Sequence, residues 1–100
     1  MTDYKDIPRD KKTGDILVNE VRLPIMDRLL SPITVDGTEI KDVSVREPTV
    51  LDLEVANKEV SELGKTSRLL AQVMNLAPDD IKKLGSRDFS RLGSLVAAFL

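Results

Sequence analysis

The sequence predicts an α+β fold: an N-terminal β-hairpin, open to a third strand, followed by a small bundle of three to four helices. Three observations predict it. Asp36-Gly37 stands between two apolar-alternating runs in SPITVDGTEIKDVSV, the strongest short-range hairpin signal. Beyond Pro48 the apolar residues change from period two to helical spacing. Gly64, Pro78 and Gly85 then divide that half of the chain into helix-length pieces.

Residues 1–20 are dense in both charges and show no sustained period, so a flexible tail is expected ahead of a single domain over 21–100. Within the tail, Ile16, Leu17 and Val18 form a short apolar patch able to dock as an edge strand. VRLPIMDRLL, residues 21–30, is apolar but interrupted by Pro24, and both an irregular strand and a helical turn fit it.

The hairpin is expected over about 32–46. A type I′ turn needs positive φ at both central residues, which Asp36 and Gly37 tolerate. Ile33 and Val35 share one strand face. Ile40 is out of phase with Val43 and Val45, so either a bulge sits near Lys41-Asp42, the favoured reading, or Ile40 faces the other way. Two strands alone are marginal, so the hairpin needs the helices or a third strand from residues 16–25 or another subunit.

VSVREPTVLDL, residues 43–53, is the corner between the two halves. Pro48 lacks an N–H and stops strand pairing. Thr49 is placed to cap the next helix, with Asp52 at its third position near the positive helix end. Val50, Leu53, Ala56, Val60 and Leu63 fall on one stripe of a helix over about 49–63, stopped by Gly64. A second helix, about 66–76, carries Leu69, Leu70, Val73 and Met74 toward a core. A third, about 78–84, opens on Pro78 with Asp79 and Asp80 against its N-terminal dipole. Gly85 ends it, and Ser86 caps a fourth over about 86–100 with Phe89, Leu92, Val96 and Phe99 in its stripe.

The chain has 100 residues, 41% of them apolar, with fifteen basic residues against seventeen acidic for a net charge of -2. That fits one small domain without a charge argument for nucleic acid or an anionic membrane as partner. Cysteine and histidine are both missing, which removes disulfides, thiolate metal sites and the commonest general base. No stretch approaches the roughly 18 apolar residues of a membrane span, and the opening residues lack the apolar centre of a signal peptide. The expected address is the cytoplasm, with no cofactor and no metal.

Asp79-Asp80 is the only adjacent acidic pair in the folded half, and helix-start charge complementation explains it without catalysis. Lys82-Lys83 reads as a solvated face. Short helices with Gly85 at a turn raise a helix-turn-helix reading, but the last helix offers only Arg87 and Arg91 before turning apolar, which suits a recognition helix poorly. No phosphate loop, nucleophile motif or metal-ligand spacing occurs. An enzyme is not expected.

Surplus apolar surface is what remains. Leu51 and Val55 lie nearly opposite the main stripe of their helix, where they either tuck under the hairpin or meet a partner. LVAAFL, residues 95–100, is apolar all round. Docking Leu95, Val96, Phe99 and Leu100 in a dry site is worth roughly 1.5–3 kcal/mol each, comparable with the stability of a small domain. Burial in the chain's own core and an interface with a subunit or client both satisfy that demand.

The VDG hairpin, the REPT junction leading to Asp52, the Leu-Ala-Pro-Asp-Asp segment and the Arg-Asp-Phe opening of the last helix occur in an order and spacing that resembles the Mu-like phage tail assembly chaperones, over about residues 32–100. The resemblance implies a non-enzymatic protein of the host cell cytoplasm, expressed late, that coats the tape measure protein and keeps it soluble until tail tube protein polymerises around it. It also implies absence from the mature virion, homo-oligomers, and a longer frameshifted form of the same chain. The segment before Leu30 departs from the compact start expected of such proteins and is a candidate arm toward a neighbouring subunit. The competing readings are a structural tail or connector protein of the virion and a small DNA-binding regulator.

Overall fold

The computed structural model describes residues 1–100. A three-stranded sheet is followed by four helices, in the order β1 (Thr2–Asp3), β2 (Ile25–Val35), β3 (Thr38–Val45), α1 (Val50–Ala56), α2 (Glu62–Val73), α3 (Pro78–Ile81) and α4 (Ser86–Ala97). The α+β fold is therefore the one the sequence predicts. β2 lies between the other strands, antiparallel to β3 and parallel to β1.

Asp36 and Gly37 have φ of 50° and 80° and link the paired residues Val35 and Thr38. That is the type I′ turn the dipeptide demands. β2 starts at Ile25, earlier than residue 32, so the ambiguous residues 25–30 are strand. The ladder is interrupted where expected, but the surplus residues lie on the other strand. Between the pairs Arg28↔Asp42 and Ile33↔Ile40, β2 runs through residues 29–32 while β3 has Lys41 alone. Pro32 has no N–H for a ladder, which favours the interruption on its own strand.

Residues 1–20, read from sequence as a flexible tail, carry defined structure. Thr2 and Asp3 pair with Ile25 and Met26, 3-10 turns form at Tyr4–Asp6 and Val18–Glu20, and Arg9 bridges to Ile16. Ile7 is buried, and Tyr4 and Ile16 pack against the core. The third strand is thus Thr2–Asp3 and not residues 16–25. Apolar residues at Tyr4, Ile7 and Ile16 give this charged segment enough surface to stay down.

α1 is shorter than predicted. It ends at Ala56, and α2 begins at Glu62, with the Ser61 hydroxyl accepting from the Gly64 N–H at 2.9 Å. Gly64 therefore sits in the first turn of α2 and does not stop α1. The stripe that continued through Val60 and Leu63 follows helical spacing in sequence only. α2 closes at Asn75, with φ of 54°, the Leu76 N–H donating to Ala71 and the Asn75 N–H to Gln72, a Schellman termination. α3 is a single turn that ends at Ile81, before Gly85. Gly85 holds the cap position of α4 without a side-chain bond, and Ser86 is the first helical residue rather than the cap.

The core lies between the sheet and the helices, with Ile25, Leu70, Ile81, Leu92 and Leu95 fully enclosed. Gly93 lets α4 approach α2 closely, since a Cβ there would lie 3.2 Å from Thr66 Cγ2.

Candidate partner-binding surface

Two buried carboxylates fix the frame on which the surface is displayed. Asp52 holds the corner from β3 into α1. Its carboxylate accepts from the Thr49 N–H at 2.8 Å while Thr49 Oγ1 accepts from the Asp52 N–H at 3.2 Å, completing the capping box foreseen in Thr49 and Asp52. Arg46 clamps the same carboxylate with both terminal nitrogens, at 2.6 and 3.0 Å, and Gln72 Nε2 donates to it at 2.7 Å. The hydrogen bonds from Arg46 hold the Asp52 carboxyl well below the usual carboxylate range against the opposing effect of burial, and Thr49 adds to the shift. The start of α1 is thereby pinned to the end of α2, and the two helices run antiparallel.

Asp88, in the first turn of α4, holds the interrupted part of β2. Its two oxygens accept from the N–H groups of Leu30 at 2.9 Å and Ser31 at 3.0 Å, donors the ladder leaves unpaired. Arg91 lies 2.9 Å from Asp88 and 2.7 Å from Asp27, with the Tyr4 ring 5.5 Å from its guanidinium carbon. Burial alone would raise the Asp88 carboxyl, but the two N–H groups and Arg91 outweigh it and the pKa falls below its ordinary value. In both clusters the carboxylate is satisfied internally and acts as a clasp, although the Oε1 atom of Gln72 beside Asp52 is buried without a hydrogen-bond partner.

The apolar surface divides between the two helices singled out in the sequence. Leu51 is 66% exposed, Val55 half-buried. Val50, Val60 and Leu63, expected in the core stripe, are 73%, 99% and 67% exposed, because α1 ends before Val60 and its start turns Val50 outward. Leu95 and Val96 are only 1% and 2% exposed, so the fold consumes them and they are removed from the candidate surface. Phe99 is half-buried and Leu100 64% exposed. These last two line a shallow groove with Ala98, Val18, Asn19, Glu47 and Pro48, so the chain's final residues meet the corner that leads into α1. Sequence reasoning missed Val50, Val60 and Leu63. Ser61, a cap residue directly before Glu62, was the signal of a second helix start.

No cluster of three or more side chains suited to a metal ion forms, and no helix is long and apolar enough to cross a membrane. Residues 28–100 match the family described as phage tail assembly chaperone proteins, E, or 41 or 14. The chain belongs to this family. No curated protein and no solved structure matches it. The match to the tail assembly chaperones contains the hairpin turn, the Asp52 clasp, the Asp88–Arg91 pair and all four helices, and leaves β1, the first residues of β2 and Asp27 outside. It implies protein partners in tail assembly and suggests a non-enzymatic role.

Proposed function

We propose that the protein acts in the host cytoplasm as a non-catalytic holder of the tape measure protein, keeping that long, apolar, helical chain soluble while the tail is built. One observation carries the reading beyond family membership: of the eight large apolar side chains left exposed, Val50, Leu51, Val60 and Leu63 fall within one fourteen-residue stretch, whereas Met1, Leu17, Leu30 and Leu100 are scattered along the rest of the chain. Covering such side chains is worth roughly 1.5–3 kcal/mol each, a gain that a partner's apolar face provides. Recognition by a helix face tolerates sequence variation in the client, and many weak contacts along one long chain add by multivalency. Copies side by side on the client would account for homo-oligomers, and polymerising tail tube protein, or a longer frameshifted form of the chain, would displace or bridge them.

Co-expression with the tape measure protein tests the reading. The expected result is a soluble complex recovered on a tagged chaperone, together with absence of the chaperone from purified virions by mass spectrometry. An insoluble tape measure protein, or a chaperone found at fixed stoichiometry in virions, contradicts it.

A further inference from the structure

The exposed corner from Val50 to Leu63 has a charge pattern as well as an apolar one. We infer that this corner is a docking site for an amphipathic helix whose apolar stripe is flanked by Lys or Arg side chains. The inference rests on the client-holding function proposed above and names the chemistry of what is held.

Glu47, Glu54 and Glu62 are exposed and interleave along the chain with the four apolar residues. Glu47 and Glu54 make no ion pair within the chain, and Glu62 reaches only Lys65 of its own helix, at 3.5 Å. The cations of the same region are engaged: Arg46 is held by Asp52 and Arg68 by Glu59. Lys58 alone is free. An approaching helix thus meets exposed apolar side chains in a stretch that holds two unpaired carboxylates, Glu47 and Glu54, and basic residues beside its own stripe complete the pairing. Such rim charges raise association rates and select among partners more than they add affinity.

Size separates this occupant from a second copy of the chain. α1 has two turns and is about 10 Å long, a small face against the roughly 800 Å² per partner of a standard dimer interface. A short stretch of a long helix, held by many copies in turn, fits a face of that size.

Two labelled synthetic peptides of equal length and equal apolar stripe, one of Leu and Lys and one of Leu and Glu, test the inference by fluorescence anisotropy with the full chain. At low salt the Leu/Lys peptide is expected to bind at least tenfold more tightly, and the gap to close as salt rises. Leu51→Ser with Val60→Ser should weaken that binding at least tenfold without changing circular dichroism. Glu47→Gln with Glu54→Gln should reduce the tenfold preference to threefold or less.

Equal binding of the two peptides, no binding of either, or indifference to either pair of substitutions overturns the inference. Recovery of the tape measure protein that is unaffected by the serine pair also overturns it and leaves the function standing. Peptide selectivity that follows these substitutions, with no tape measure recovery, supports the corner and removes the function.

Discussion

α1 and α4 both carry more apolar residues than one helix face requires, yet they end in opposite places. Leu95 and Val96 of α4 lie in the core, whereas Val50 and Leu51 of α1 face water. The difference is in what surrounds each helix. α4 meets β2 through Asp88 and Arg91, α2 through Gly93, and the N-terminal segment through Tyr4. α1 is fixed at one end by Asp52 and packs chiefly on α2. An apolar count therefore states how much surface needs covering, and only the neighbours decide whether the chain covers it.

The contrast is broken most severely at the α4 clasp. Asp88→Ala leaves the N–H groups of Leu30 and Ser31 without their acceptor and Arg91 with Asp27 as its one remaining carboxylate, and a loss of about 3–5 kcal/mol is expected, read as a lowered midpoint in urea. Leu95→Ala opens a cavity in the core and should cost about 2–5 kcal/mol. Asp52→Ala removes the capping box and the Gln72 tie. Since Arg46 is 47% exposed, solvent screens its share of that interaction, and a loss of about 1–2 kcal/mol is expected. At the other extreme, Leu51→Ala should change stability by less than about 0.5 kcal/mol while weakening client capture.

Acid sharpens the comparison without mutation. Asp52 and Asp88 both have folded pKa values below their ordinary ones. The unfolded chain therefore takes up protons first as pH falls, so their contribution is complete above about pH 5 and is lost as pH drops through the folded values. Urea midpoints should be flat between about pH 5 and 8 and decline below about pH 4. In Asp88→Asn that acid decline should be shallower.

Features set by neighbouring residues were legible in the sequence. Asp36-Gly37 specifies its turn through local φ alone, and Thr49 with Asp52 specifies a cap three residues long. Features set across the chain were not. Arg46 and Gln72 reach Asp52 from separate elements, and nothing near Asp88 signals that its acceptors serve the N–H groups of Leu30 and Ser31. The break after Ala56 was hidden because Val60 and Leu63 keep helical spacing through the turn, so residues assigned to the core became the candidate surface. The tail misled for the converse reason: its charge density masked Ile7, one buried residue that ties the segment down.

Hydrogen exchange on the full chain, with and without the co-expressed tape measure protein, tests the central claim most directly. The account predicts added protection of backbone amides across residues 50–64, with those of α4 unchanged because they are already shielded. Protection confined to α4 or to the β3 edge, with residues 50–64 exchanging as freely as in the isolated protein, would contradict it.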